Sequence, residues 1–152
     1  MFHIALYEPE IAGNVGSIAR TCLATGASLH LIRPLGFRLD EGSLKRSGMD
    51  YWHEVRVQVH NSYAAFAETF RDSFANGRVF ALTTKGTQSY HEIHYQAGDI
   101  LLFGPESRGL PEKVRTSLAQ VKIPMRGTRS LNLAVSVAVV AYEAWRQNQF
   151  LQ

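Results

Sequence analysis

The sequence predicts an α/β fold, with a mainly parallel sheet that is covered by helices on both faces. Short apolar segments that suit strands alternate along the chain with segments of helical periodicity. Most of the strand segments are apolar throughout, which is typical of strands buried on both faces, and the closing helical segment is apolar on nearly every side. The 152 residues suit a single domain, 1–152, without repeats or a linker long enough to divide it.

The first half of the chain contains three predicted strands and two predicted helices. Asn14 stands where a helix N-cap is expected, and Gly26 stands where a left-handed C-cap is expected. In chain order, these elements are a strand at 2–7, a helix between Asn14 and Gly26, strands at 28–32 and 55–60, and a helix over 63–74.

The second half adds three strands and two helices. The first of these helices opens with Pro111, because proline suits the first turn of a helix. The closing helix carries polar residues at its head, where Arg129, Ser130 and Asn132 stand. In chain order, these elements are strands at 78–84 and 99–104, a helix at 111–120, a strand at 121–125 and a helix at 129–147.

Composition narrows the class of protein. Hydrophobic residues make up 45% and charged residues 19%, as in an ordinary globular domain, and a net charge of +3 is compatible with a nucleic-acid partner. One cysteine, Cys22, allows no intramolecular disulfide. The N-terminus lacks the features of a signal peptide, and the most apolar stretch, 133–142, is about half the roughly 20 residues that a membrane span needs. We therefore expect a cytoplasmic protein without a membrane partner.

Four loops are predicted beyond the carboxyl ends of the strands, where parallel sheets bind ligands. They read EPEIAGN, TTKGT, FGPESRG and PMRGTRSLN.

The glycines of GNVG lack the spacing of a dinucleotide fingerprint, which disfavours a dehydrogenase, and Leu110 stands where a phosphate loop needs lysine. His91 and His94 have no evident partner ligands, so we expect no metal site. Cys22 lies on an apolar helical stripe and is expected to belong to the core.

Two charged residues are open to more than one interpretation. Arg20 lies off the apolar stripe of the first helix, so it is either an ordinary surface arginine or a functional cation near the first loop. Glu106 lies in a tight loop after a buried strand, and it either has a function or caps the helix that comes after it.

Three segments, taken in order, resemble the three motifs of SPOUT-class RNA ribose methyltransferases: PEIAGNVGSIART, LLFGPESRGL and IPMRGTRSLNLAVSVAVVAYEAWR. More narrowly, the chain is similar to the small single-domain branch, the TrmL/YibK type, which acts on the tRNA wobble nucleotide. Flanking stretches also match that branch: LYEPEI, ALTTKG, GFRLDEGSLKRSGMDY and YEAWRQ. The resemblance extends over about residues 2–147, nearly the whole chain.

The resemblance implies a homodimer whose C-terminal segment is threaded into a trefoil knot, with S-adenosylmethionine bound between the knot loops and no metal. It implies a cofactor site made of Leu82, Thr83, Gly104, Glu106, Ile123, Met125, Ser130 and Leu131. It implies a catalytic group made of Arg20, Asn14, Glu106, Ser130 and Asn132. Candidate RNA-binding residues are Arg20, Lys45, Arg46, Arg126, Arg129 and Tyr142. Tyr142 is equally well interpreted as buried packing, and each of Lys45, Arg46, Arg126 and Arg129 is equally well interpreted as part of a solvated loop.

The activity that the resemblance implies is methylation of the ribose 2′-hydroxyl of cytidine or uridine 34, in the tRNA anticodon loop, with S-adenosylhomocysteine as the product. The high pKa of arginine favours Arg20 as a fixed positive charge over Arg20 as a base. Two alternatives remain open: ribose methylation at another tRNA or rRNA position, and a non-catalytic RNA-binding relative. The departures from the branch pattern at residues 12–13 and 134–135 bear on the choice of nucleotide.

Overall fold

The computed structural model describes residues 1–46 and 51–151, so part of the stretch 36–51 and the last residue of the predicted domain lie outside the described residues. The strands are β1 (His3–Tyr7), β2 (Ser28–Ile32), β3 (Val57–His60), β4 (Val79–Leu82), β5 (Gln88–Ser89), β6 (Ile100–Phe103) and β7 (Ala119–Lys122). The helices are α1 (Ala12–Thr25), α2 (Glu41–Arg46), α3 (Tyr63–Thr69), α4 (Arg71–Ala75), α5 (Glu112–Arg115) and α6 (Leu133–Gln147).

The strands form one sheet in the order β3-β2-β1-β6-β4-β7-β5, and every described pair of neighbours is parallel. Side chains alternate between the two faces, so that Ile4 and Leu6 of β1 join one apolar cluster while Ala5 joins the other. The first cluster includes residues of α1 and α6, and the second includes residues of α3 and α5. The predicted α/β fold with helices on both faces is confirmed. Among the described residues, no helix has the length and apolarity of a membrane span.

The start of α1 differs from the prediction. The residue in the N-cap position is Ile11, which has extended backbone and no capping side chain, so the prediction that Asn14 caps this helix is wrong. Asn14 lies in the first turn, where its side chain is free to form contacts with other elements. The predicted C-cap is confirmed, because Gly26 has a left-handed φ of 78°.

Tertiary contacts move several other boundaries. The helix predicted at 63–74 is divided at Phe70 into α3 and α4. The helix predicted at 111–120 ends at Arg115, because Ala119 and Gln120 pair with β4 instead. The resulting strand β7 therefore begins earlier than predicted and ends at Lys122, before Pro124, which has no backbone N–H to donate.

The closing helix has two apolar faces, as its sequence predicts, but it begins at Leu133. Val137, Val140, Ala141 and Ala144 are buried on one face. The opposite face is a stripe at i, i+3, i+4 and i+7 made of Val135, Ala138, Val139 and Tyr142, of which Val135 is 48% and Tyr142 is 44% exposed. One face of α6 therefore packs inside this chain, and an apolar face remains at the surface.

Three histidines on neighbouring strands form a hydrogen-bonded chain. His3 Nδ1 lies 2.9 Å from His30 Nε2, and His30 Nδ1 lies 3.0 Å from His60 Nε2. The rings of Phe66 and Phe70 cover His30 and His60. Burial lowers the pKa of His30 to about 3, with further contributions from His3 and His60, and burial also lowers the pKa of His60 and of His3.

The low pKa values of these three histidines predict that the protein loses stability in mild acid. Below pH ~6.5, a buried histidine such as His30 binds a proton in the unfolded protein but not in the folded protein. The free energy of unfolding therefore falls as pH falls, by about 2 kcal/mol at pH 5, whereas above pH ~6.5 this loss is absent. We expect the free energy of unfolding in urea to fall between pH 7.5 and 5, and to fall by about 2 kcal/mol less in His30→Gln. His94→Gln, which changes an exposed histidine outside the chain, should follow wild type. Equal pH dependence in all three proteins would contradict this account.

Candidate active site

Three loops meet at one edge of the sheet because β6, β4 and β7 are neighbours and parallel. Each loop carries predicted cofactor residues: Thr83 follows β4, Gly104 follows β6, and Ile123 follows β7. Leu82, at the end of β4, is buried beneath them. The sheet order thus brings together residues that are far apart in the sequence.

The connection from β4 to β5 crosses over the end of β7. The Thr83 N–H donates to the Val121 carbonyl at 2.9 Å, and a Cβ on Gly86 would lie 2.5 Å from the carbonyl carbon of Val121. Strand β7 pairs with β4 on one side and with β5 on the other. The connection at 83–87 therefore crosses β7 close to the point where the chain continues from Lys122.

The loop after β6 folds back tightly on its own start. A Cβ on Gly104 would lie 2.3 Å from the backbone nitrogen of Leu110 and 2.4 Å from the carbonyl carbon of Gly109. Within the loop, the Gly109 N–H donates to the Pro105 carbonyl at 3.0 Å. Only glycine fits at position 104, because the backbone on both sides of the loop occupies the space of a side chain.

Glu106 caps a helix, but not the helix that follows it in the chain. Its carboxylate accepts hydrogen bonds from the backbone N–H groups of Glu10 at 3.0 Å and Ile11 at 2.8 Å, and from Asn14 Nδ2 at 3.2 Å. These backbone groups precede the first turn of α1, whose positive dipole end favours a carboxylate. Glu106 therefore supplies the cap that Asn14 was predicted to supply.

A second set of contacts joins the same two loops, and no motif or residue spacing predicts it. Glu10 accepts from the Ser107 N–H at 2.8 Å and from Ser107 Oγ at 2.9 Å, and these bonds lower the pKa of Glu10. Arg108 Nη2 lies 2.8 Å from Glu8 Oε1. The two loops hold each other through reciprocal bonds, since β1 and β6 are adjacent.

A polar chain connects the N-termini of α1 and α6. Asn132 Oδ1 caps α6 by accepting from the Ala134 and Val135 N–H groups at 2.8 and 3.2 Å. Asn132 Nδ2 donates to Asn14 Oδ1 at 3.1 Å, and Asn14 in turn donates to Glu106. Backbone N–H groups at both ends can only donate, so the orientation of both amides is fixed.

This polarity makes Asn132→Asp an informative variant. Aspartate caps a helix as well as asparagine does, so we expect the thermal stability to be retained. A carboxylate cannot donate to Asn14 Oδ1, however, and turning the Asn14 amide would bring its oxygen towards Glu106. Water can solvate both groups at this exposed contact, so the fold loses little stability, but Asn14 is no longer held in position and we expect catalytic activity to fall by about tenfold or more. Unchanged activity with unchanged melting temperature would show that the hydrogen bond between Asn132 and Asn14 has no functional role.

The remaining site predictions are placed as follows. Ser130, Leu131 and Met125 are exposed in the loop before α6, and Ile123 is half-buried against the core. Arg20 is exposed on α1, with its guanidinium 5.8 Å from the centre of the Tyr51 ring. The structure thus brings Asn14, Glu106 and Asn132 into contact within one chain. Arg20 makes no recorded hydrogen bond or ion pair with these three residues.

The candidate RNA-binding residues all lie at the surface. Lys45 and Arg46 are exposed in the last turn of α2, and Arg126 and Arg129 are exposed in the loop before α6. Tyr142 contacts Trp145 edge to face at 5.9 Å and is not buried within this chain.

Other candidate chemistry receives no support from the geometry. Cys22 is buried, and burial raises the pKa of its thiol to about 12, so the prediction that it belongs to the core is confirmed. His91 and His94 are exposed, and His91 Nδ1 lies 2.9 Å from Ser89 Oγ. Within residues 1–46 and 51–151, no group of three or more His, Cys, Asp or Glu side chains is arranged to hold a metal ion.

Comparison with known proteins places these features in a family. The model of the SpoU rRNA methylase family matches residues 1–142. The chain is 48% identical to a tRNA (cytidine(34)-2'-O)-methyltransferase of Methylovorus glucosotrophus, covering 99% of this chain and 97% of the relative. It is 49% identical to a protein of the same name from Yersinia pestis, covering 97% of this chain and 94% of the relative.

Solved structures agree with this placement. One, described as giving structural insights into the 2-OH methylation of C/U34 on tRNA, has a TM-score of 0.90 and 54% identity, covering 98% of this chain and 97% of the other. An AdoMet-bound rRNA methyltransferase from Sinorhizobium meliloti has a TM-score of 0.80 and 30% identity, covering 99% of this chain and 57% of that longer one.

Proposed function

Because the chain belongs to the SpoU rRNA methylase family, we propose that it transfers the methyl group of S-adenosylmethionine to the ribose 2′-hydroxyl of the tRNA wobble nucleotide, cytidine or uridine 34. The observation that carries this proposal is the polar chain Asn132–Asn14–Glu106, which lies at the carboxyl edge of the sheet. It links all three motif loops, so that the site exists only when the loops are assembled.

The residues present fit S-adenosylmethionine. Met125 and Leu131 expose 39% and 40% of their surface at the edge where Gly104 and Thr83 also lie, and apolar side chains in such a position suit an adenine ring. Leu82, Ile123, Ser130 and Glu106 complete the proposed cofactor site. When bound, S-adenosylmethionine supplies an electrophilic methyl group on a positively charged sulfur. No metal is needed to hold it, since its recognition uses apolar contacts and loop amides.

The protein's part in the reaction is alignment and charge stabilisation. The ribose 2′-hydroxyl forms a bond to the methyl carbon, the carbon–sulfur bond breaks, and the hydroxyl proton leaves to solvent. Holding the two groups in line accounts for much of the rate of such a transfer. We assign Asn14, Asn132 and Glu106 to positioning and Ser130 to contact with the hydroxyl. Arg20 is a fixed positive charge that stabilises the developing oxyanion.

A homodimer would bring Arg20 to this site. Within one chain Arg20 lies over the Tyr51 ring and has no described hydrogen bond to Asn14, Glu106 or Asn132. The stripe of Val135, Ala138, Val139 and Tyr142 on α6 leaves an apolar face at the surface. Burying such a face against a second copy is the expected way to cover it. We propose that α6 of each chain packs at the dimer interface and that Arg20 of one subunit serves the site of the other.

We also propose that the chain contains a trefoil knot, in one domain that acts in the cytoplasm. Threaded chains are very rare among folds in general, so a specific observation is needed. The supporting observation is the connection at 83–87, which crosses β7 between its two neighbours and lies against Val121 at the end of that strand.

The function is tested by methyl transfer from labelled S-adenosylmethionine to unmodified total tRNA, followed by nucleoside mass spectrometry. We expect a 2′-O-methylated pyrimidine that maps to position 34. A different methylated ribose would retain the chemistry and change the target. Failure to bind S-adenosylmethionine would overturn the proposal altogether.

A further inference from the structure

The segment 33–40, between β2 and α2, lies beside the proposed active site. It is neither helix nor strand, but its side chains alternate between inside and outside. Leu35, Phe37 and Leu39 are half-buried and pack against the core. Arg38 lies in the exposed row between them. This alternation places Arg38 on the solvent side of the segment while its apolar neighbours face the core.

This segment rests on the loop that leads into α1. The Gly36 N–H donates to the Pro9 carbonyl at 2.9 Å, and a Cβ on Gly36 would lie 2.7 Å from the Cα of Glu10. Glu10 is also a residue whose backbone N–H is held by Glu106. A molecule bound at Asn14 and Glu106 would therefore meet the segment 33–40 as soon as it extends beyond the site on this side.

The segment lines an open groove of about 450 Å³. Arg33 and Arg38 contribute cations to the groove, and Phe37 contributes an aromatic ring among aliphatic side chains. Guanidinium groups beside an apolar and aromatic floor suit a sugar-phosphate backbone whose bases are partly unstacked.

Neither the Arg33 nor the Arg38 guanidinium group forms a strong ion pair within the protein. Arg33 Nη1 donates to the neutral amide oxygen of Asn61 at 3.0 Å. Arg38 Nε lies 3.3 Å from Asp40 Oδ2, but its side chain is 88% exposed, and a surface ion pair of this kind contributes little to stability. A phosphate can replace such a partner at little cost.

The nearest acidic side chains on the neighbouring loop are already engaged. Glu8 pairs with Arg108, and Glu10 accepts two hydrogen bonds from Ser107. Their charges are partly satisfied within the protein. Asp40, the carboxylate that lines the groove itself, accepts from the Ser43 N–H and lies beside Arg38, so the two arginines leave the groove with a net positive charge.

We propose that the groove lined by residues 33–40 binds phosphates of the tRNA substrate next to the methylated nucleotide, with Arg33 and Arg38 as the contacts. This inference rests on the proposed function and adds a binding surface to it. Because the groove lies outside the reacting groups, its arginines contribute to the affinity for tRNA and not to the methyl-transfer step.

The test compares an Arg33→Gln/Arg38→Gln double variant with an Arg71→Gln/Lys113→Gln double variant. Both lose two positive charges from exposed side chains, but Arg71 and Lys113 lie on α4 and α5 and do not line the groove. For the groove variant we expect a tRNA dissociation constant raised about tenfold or more, and a plot of log affinity against log salt that is shallower by about 2. The KM for tRNA should rise, while kcat and the affinity for S-adenosylmethionine stay within about twofold of wild type. The reason is that Arg33 and Arg38 contribute to tRNA binding and not to the methyl-transfer step. The control should match wild type in every measurement.

Equal tRNA affinity in the two variants would overturn the groove proposal, and so would an equal loss in both, which would indicate a general charge effect. Loss of binding to anionic lipid vesicles without loss of tRNA binding would assign the groove to a membrane surface and also overturn it. Failure of the proposed function is distinguishable, because wild-type protein would then bind tRNA without transferring a methyl group. Thermal unfolding of both variants shows whether these exposed substitutions leave the fold intact.

Discussion

We expect the Gly104→Ala variant to bind S-adenosylmethionine about ten- to a hundredfold more weakly than wild type, because the overpacking of a closed site costs about 1–3 kcal/mol. The added methyl group would lie 2.3 Å from the Leu110 nitrogen and 2.4 Å from the Gly109 carbonyl carbon. Both neighbours are backbone atoms, so the whole loop after β6 has to shift. That loop carries Glu106, and its displacement breaks the cap on α1 as well as the cofactor site.

Isothermal titration with S-adenosylmethionine measures this effect, and thermal unfolding shows how far the fold tolerates the change. Gly127→Ala is the matched control, because Gly127 lies in a loop at the same edge and a Cβ there meets nothing within 4 Å. We expect the control to bind the cofactor normally. Wild-type affinity in Gly104→Ala would mean that this loop does not shape the cofactor site.

The contrast between Gly26 and Gly104 shows what sequence reasoning can reach. Gly26 ends a helix whose periodicity is local, so its left-handed conformation was predictable from its neighbours in the chain. Gly104 is required by the return of its loop, and nothing in the adjacent sequence reports that contact. The strands were likewise predictable from short apolar runs, whereas β5 and the early start of β7 depend on partners elsewhere in the sheet.

Glu106 illustrates the same limit within the site. Its position after a buried strand suggested a cap, and it is a cap, but for a helix that begins more than ninety residues earlier in the chain. The assignment required the strand order, since only the adjacency of β1 and β6 brings the two loops together. The motif resemblance selected Asn14, Glu106 and Asn132 together with Arg20 and Ser130. For the first three, the geometry adds the direction of the hydrogen bonds between them.

The role of Arg20 gives the second large effect. Lysine keeps the positive charge but lacks the planar fork of the guanidinium group, so it cannot hold an oxyanion and a phosphate in the same way. Loss of a preorganised group that stabilises an oxyanion lowers kcat by about a hundredfold or more, and we expect this of Arg20→Lys. Arg71→Lys, which changes an exposed arginine paired with Glu68, should have wild-type turnover. Near-normal turnover by Arg20→Lys would contradict the assignment.

Subunit complementation tests where Arg20 acts. Arg20→Ala and Glu106→Ala chains, co-expressed with different tags, form a mixed dimer that two affinity steps isolate. If Arg20 serves the partner's site, one site combines both substitutions and the other combines none, so the mixed dimer should recover about half of wild-type activity although each parent is inactive. If Arg20 acts within its own chain, both sites contain one substitution and activity stays low. A stable monomer by light scattering at micromolar concentration would exclude the shared site, because no second subunit would then be present to supply Arg20.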